Sequence, residues 1–327
     1  MNRREFITLV GGAAAAWPMV ARAQQAVMPV IGFLHSGSAK PSAERLAAFR
    51  QGLSDADLVE GKDFQIEFRW AEGRYERLRE MARDLVGRNV AVIVAGGGTV
   101  SAPVAKTATS TIPIVFIIAA DPIATGLVTS LARPEANMTG VSFLSQELGA
   151  KRLGFLNLLT PDATAVAVLA NPLNPRHDVA IKEIQDAASA SKRNIHIFEA
   201  STVGQIDSAF EAIVRQKCGA IIVHQDSFFQ SRYVQIAARG TETAIPTIYG
   251  SREYVQAGGL MSYGPDVRKE YRKAGTYAGR ILRGAKPADL PIVQPTNFEL
   301  VINLKTAQST GLKIPDAFQL LADEVIE

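Results

Sequence analysis

The sequence predicts an α/β protein made of two parallel-sheet units in succession, and three observations carry that prediction. Short runs rich in β-branched residues alternate with segments whose apolar residues recur at helical spacing. Several of those runs are apolar throughout, as in strands covered on both faces by helices. The alternation then starts afresh near residue 145, in a 327-residue chain too long for one ordinary hydrophobic core.

VIGFL at 30–34 reads as the first strand, and Leu46, Phe49 and Leu53 mark one face of a helix over 43–56. FQIEFRW at 64–70 alternates like a half-buried strand. A helix over 75–87 follows, with Leu78, Met81, Ala82 and Leu85 on one side. VAVIVA at 90–95, a helix near 100–109 and PIVFII at 113–118 complete the first series. After a strand at 141–144 and a helix at 146–159, the rhythm repeats. AVAVLA at 165–170, a helix over 175–192, NIHIFEA at 194–200 and a helix over 205–216 come first. AIIVH at 220–224, a helix over 228–239 and PTIY at 246–249 close the second series. The halves share architecture, not sequence. The tail adds GLMSYG at 259–264, a helix over 266–283, a Pro-containing connection and a strand at 297–304, then a short helix over 305–310. The expected lobes are residues 27–144 with about 265–285, and 145–264 with about 290–327, two Rossmann-like units joined by a hinge with a cleft between them.

The ends and composition narrow the function classes. Arg3 and Arg4 precede an uncharged stretch rich in Ala and Gly, and Ala21-Arg22-Ala23 offers small residues where a signal peptidase cuts. This order predicts a secretory leader, residues 1–23, cleaved after Ala23; the RREFI run also suits a twin-arginine export signal. About 14 uncharged residues broken by Pro18 fall short of the roughly 20 that span a bilayer, so no stable membrane insertion is expected. Cys218 is the sole cysteine, which excludes an internal disulfide. The expected product is periplasmic. Removing 1–23 takes away three arginines and Glu5, leaving 32 basic and 31 acidic residues, too even a balance for a nucleic-acid binder.

In open parallel sheets, ligands meet the loops at the carboxyl ends of strands, where helix N-termini also present free N–H groups. That rule nominates Ser36 and Ser38 after the first strand, Gly97 and Thr99 after the third, and Asp121 after the fourth. In the second series it nominates Asn171, Asp226 with the adjacent Phe228, and Tyr263. Gly, Ser, Asn and Asp at such places also form turns and N-caps, and Phe228 with Phe229 also suits helix–sheet packing. Asp226 stands out because it follows an apolar strand and precedes two large rings. No GxSxG, HExxH, CxxC or P-loop occurs, and GGGT lacks dinucleotide spacing. His35 and His224 both end strands, which leaves a catalytic or metal pair across the cleft as the alternative to hydrogen-bonded loop residues. No cofactor or metal is expected, and no enzyme.

The run IAADPIATGLVTSLARPEANMTGVSF at 118–143 resembles the DPV..G.V.SL..PGGN.TG signature of bacterial ABC-transporter substrate-binding proteins tied to tryptophan or other aromatic amino acids. FELVINLKTAQSTGLKIPDAFQLLADEVIE at 298–327 resembles the family's ending, and GFLHSGS at 32–38 fits as well. The chain departs from the signature at Pro134-Glu135-Ala136, where the family often has PGG. The resemblance implies a type I periplasmic binding fold with three crossings between lobes. It also implies a receptor that encloses a small molecule, an aromatic amino acid favoured, and docks on a membrane permease; a monomer is expected. In that expectation, hydroxyls and helix N-termini near Ser36, Ser38 and Gly97 to Thr99 hold a carboxylate. Asp121 or Asp226 pairs with an ammonium, and Phe228 or Tyr263 covers the side chain. An extracytoplasmic sensor of the same fold is the alternative, with a secreted hydrolase or isomerase behind it.

Overall fold

The computed structural model describes residues 28–134 and 136–327, so the leader expected at 1–23 lies outside the described residues. Strands β1 (Val30–His35), β2 (Gln65–Trp70), β3 (Val92–Gly96), β4 (Ile114–Ile118) and β5 (Met138–Ser142) form an all-parallel sheet in the order β2-β1-β3-β4-β5. β3, β4 and β5 are buried end to end and β1 nearly so, whereas β2 at one edge is half exposed. Burial on both faces is why the inner strands lack alternation. Helix α1 (Ala43–Ser54) packs on one face through Leu46, Phe49 and Leu53. Helices α2 (Leu78–Gly87) and α3 (Ser101–Ala108) cover the other.

The second lobe is larger. β6 (Ala165–Ala170), β7 (Asn194–Glu199), β8 (Ala220–Val223), β9 (Thr247–Tyr249), β10 (Met261–Gly264), β11 (Glu299–Asn303) and β12 (Glu324–Ile326) lie in the order β12-β11-β10-β9-β8-β6-β7. α4 (Gly149–Leu159) and α5 (His177–Ala190) cover one face, and α6 (Val203–Arg215), α7 (Ser227–Ser231), α8 (Tyr233–Glu242) and α9 (Arg252–Gln256) the other. The molecule therefore has the two α/β lobes that the sequence predicts.

Details differ. β11 runs antiparallel to β10. The strand expected at 141–144 lies at Met138–Ser142, and the helix expected over 228–239 is two helices that break at Arg232. Two short elements near the end, α12 (Asp316–Gln319) and β12, span too few residues to show a period. Ala136, where the resembling signature carries glycine, has φ 65°. The signature's glycine takes that conformation without the steric penalty a Cβ brings.

The chain passes between the sheets three times. It leaves β5 for α4, returns from β10 into α10 (Val267–Leu282), and departs again after Val293. Helix α10 lies on α1, with Val267, Tyr271, Ala274 and Ala278 in the first lobe's core. The close approach occurs at Gly52 and Gly275, where a Cβ would stand 1.9 Å from the Arg272 carbonyl oxygen and 2.0 Å from the Phe49 carbonyl oxygen. Residues 290–293 stay with the first sheet: Thr139 Oγ1 donates to Leu290 O at 2.6 Å and Ser142 N to Val293 O at 2.9 Å. The final return thus begins after Val293, a little later than the sequence suggests. α11 (Leu304–Ser309) then follows β11 into the second lobe.

Strand order fixes where a ligand can sit. In the first sheet, β1 has β2 on one side and β3 on the other, so the chain switches direction between β1 and β3. In the second, the same switch falls between β6 and β8. Loops leaving the carboxyl ends of two such strands diverge and leave a crevice. The two crevices face each other.

Candidate functional site

A cavity that opens to solvent lies between the facing rims. The first lobe lines it with His35, Gly37 and Ser38 after β1, with Gly97, Gly98 and Thr99 after β3, and with Ala119, Arg45 and Tyr271. The second lobe adds Asn174 after β6, Gln225, Asp226 and Ser227 after β8, and Gln230. Phe143 lines it from the first crossing. Both sheets therefore contribute their switch-point loops.

Several contacts among the described residues close the rims on each other. Arg45 on α1 gives Nε and Nη2 to Glu253 Oε1 on α9, at 2.9 and 2.7 Å. Both side chains are largely buried, at 7% and 12% exposure. Tyr75 of the first lobe donates its hydroxyl to Asp226 at 3.1 Å, and Ser227 Oγ donates to the Gly97 carbonyl.

Asp226 is the best organised of these groups. It caps α7 by accepting the Phe228 and Phe229 amides at 2.8 and 3.2 Å, and it also accepts the Asn171 and Asn174 side-chain amides at 3.0 Å each. Burial raises its pKa, and these hydrogen bonds work against that rise. Among the described residues, the side chains and amides that hydrogen-bond this carboxyl group are all neutral.

His35 is buried, with Nδ1 accepting the Gly37 amide at 3.0 Å and Nε2 3.1 Å from the Tyr271 hydroxyl. Burial, then the Arg45 guanidinium, lowers its pKa to about 3. His224 is also pushed down to about 3, by burial first and then by Arg152, and its ring nitrogens make no hydrogen bond among the described residues. Both rings are neutral when folded and titrate near 6.5 when unfolded. Below that pH the unfolded chain binds more protons, so stability falls as pH drops from about 6.5 toward 3. Each ring contributes up to about 1.4 kcal/mol per pH unit. Urea unfolding at pH 7 and pH 5 is expected to register the loss, and His224→Gln is expected to reduce that difference.

Among the sequence candidates, the structure brings Ser38, Gly97, Thr99 and Asp226 to the cavity. Ser36 and Asn171 stand one layer behind. Ser36 Oγ donates to Gly97 O at 2.5 Å, and Asn171 holds Asp226. Three candidates lie elsewhere. Asp121 follows β4, away from the switch point, and its carboxylate accepts the Ile123 amide at 2.8 Å to shape a turn. Phe228 packs with Phe229 in the second lobe's core, beside Gly73 of the first. Tyr263 faces Phe155 and Phe298, at ring separations of 4.9 and 6.2 Å. His224 does not line the cavity, so it forms no pair with His35 there.

Sequence reading passed over Arg45, Tyr271 and Gln230, and it read the segment that ends in Asn174 as a turn more than a site. Arg45 sits next to Leu46 on a helix whose charged residues read as a solvent face, and Tyr271 belongs to an apolar stripe that reads as core. Only the returning helix α10 makes Tyr271 part of the site.

Among the described residues, no helix is long and apolar enough to cross a membrane, and no cluster of three or more His, Cys, Asp or Glu is placed to hold a metal. A family model described as ABC transporter substrate binding protein matches residues 37–326. A tyrosine-binding protein of Clostridioides difficile (strain R20291) is 29% identical over 280 residues, covering 85% of this chain and 78% of that protein. The crystal structure of a conserved domain protein from Vibrio cholerae matches with a TM-score of 0.83 at 25% identity, covering 91% of this chain and 99% of that one. An ABC domain from Streptococcus pneumoniae in complex with L-Trp matches with a TM-score of 0.79 at 25% identity and the same coverage.

Proposed function

We infer the ligand class and working cycle from one premise: this chain belongs to the ABC transporter substrate-binding protein family. It is a small-molecule receptor of an ABC transporter, and the family's members are receptors, not enzymes. We propose that its ligand is an α-amino acid with an aromatic side chain. The observation that carries this reading is Asp226, a buried acidic group at the cavity wall whose hydrogen-bond partners among the described residues are all neutral. An ammonium group supplies an opposite charge. Ser38, Thr99 and the loop amides around Gly97 and Gly98 suit a carboxylate, and Val100, Ala119, Phe143 and the Tyr271 ring offer apolar surface. The relatives that bind tyrosine and L-Trp support the same class.

In this proposal the ligand binds one lobe of an open form, and contacts to the second lobe favour closure. The closed form is what a permease reads. We further propose a periplasmic monomer with its leader cleaved after Ala23, and no catalytic turnover. Calorimetry of refolded, ligand-stripped protein against the common L-amino acids tests the ligand class. Tyrosine, tryptophan or phenylalanine is expected to give the tightest binding. Absence of heat with every member would remove the amino-acid reading.

A further inference from the structure

The direction of hydrogen bonds around Tyr271 identifies a ligand contact. His35 Nδ1 accepts the Gly37 amide at 3.0 Å, so in the neutral ring the proton resides on Nε2. Burial keeps that ring neutral at physiological pH. Nε2–H therefore donates to the Tyr271 oxygen at 3.1 Å, and the Gly97 amide donates to the same oxygen at 3.3 Å. The Arg45 guanidinium, a third neighbour, has only donors. Among the described residues, each group hydrogen-bonded to this oxygen donates to it. Among the described residues, no acceptor stands within hydrogen-bond distance of the Tyr271 hydroxyl. A buried donor left unsatisfied is destabilising. Tyr271 lines the cavity, where an acceptor can arrive.

We propose that the Tyr271 hydroxyl donates to the ligand's carboxylate, and that His35 is the positioning residue that points this donor into the cavity. The assignment rests on the amino-acid reading above. It adds a residue from α10, the returning helix, to the binding set. A hydrogen bond to a charged group contributes about 1.5–3 kcal/mol, roughly 10- to 100-fold in affinity. A ligand with the same ring and ammonium but no carboxylate forgoes it.

The test compares L-tryptophan with tryptamine on the intact protein and on Tyr271→Phe. The expected result is a 10- to 100-fold weaker L-tryptophan complex in the variant, with tryptamine affinity changed less than about threefold. Equal losses for both ligands would overturn the assignment, because a merely structural tyrosine weakens them alike. The His35 tautomer gives a readout that needs no ligand. Nitrogen NMR of the wild-type protein, with the signal assigned by its loss in His35→Gln, is expected to find the proton on Nε2. A proton on Nδ1 would let Nε2 accept the tyrosine proton and would end the proposal. If no amino acid binds the wild-type protein, the ligand class falls, and the tautomer still decides the donor's direction.

Discussion

Gly52→Ala is expected to destabilise the protein by about 3 kcal/mol or more in urea unfolding, at or beyond the top of the usual range for overpacked sites. A Cβ at Gly52 would stand 1.9 Å from the Arg272 carbonyl oxygen and 2.9 Å from the Thr276 amide nitrogen, both backbone atoms of α10. No side-chain rotation relieves a backbone clash. The helices would have to separate, opening the layer in which Phe49, Leu53, Tyr271, Ala274 and Ala278 are packed. Gly275→Ala is expected to act similarly, because its Cβ meets the Phe49 carbonyl from the other side. Gly154→Ala provides the contrast. It sits within α4 with nothing inside 4 Å of the added carbon, so alanine's better helix propensity is expected to leave stability unchanged or raise it by up to about 1 kcal/mol. A loss at Gly52 no larger than the effect at Gly154 would contradict the packing account.

Glu253→Gln is expected to weaken ligand binding by about 100-fold or more while leaving each lobe folded. The Arg45–Glu253 pair joins the lobes and is largely buried between them, and in the proposed cycle opening would separate it. Removing one partner of a buried pair costs about 3–5 kcal/mol, because the remaining charge stays desolvated. Here the cost falls on closure: in an open form Arg45 returns to water. A binding-competent state made rarer by that amount lowers apparent affinity in proportion. Replacing both partners, Arg45→Met with Glu253→Leu, is expected to bind more tightly than Glu253→Gln alone, since matched apolar side chains leave no stranded charge. Calorimetry on the three proteins checks the order. An affinity within about threefold of wild type for Glu253→Gln would remove the pair from the closure mechanism.

Much of the fold is legible in the sequence for one reason: parallel strands buried on both faces need continuous apolar runs, and those runs mark themselves. The polar loops after β1, β3, β6 and β8 are legible for a related reason, since turn and capping residues must follow each run. Strand order is not written locally. Which two loops flank a switch point depends on whether β3 pairs with β1 or β2, and that decides why Thr99 reaches the cavity and Asp121 does not. Phe228 and Tyr263 are aromatic and near strand ends, which suggests a site, yet their rings complete cores. Tyr271 looked like core and does contribute to core, with its hydroxyl end at the cavity. One side chain can serve both roles, and a periodic pattern reports only the apolar one. Arg45 is hidden similarly, because its partner Glu253 lies 208 positions along the chain.

Where a bound solute rests decides the matter most directly. A crystal structure of the protein with its tightest-binding amino acid is expected to find that molecule between the rims, its ammonium at Asp226 and its carboxylate at Tyr271, with atoms touching both lobes. A solute seated on the outer face of a single lobe, or lobes held apart around it with Arg45 and Glu253 separated, would contradict capture by closure.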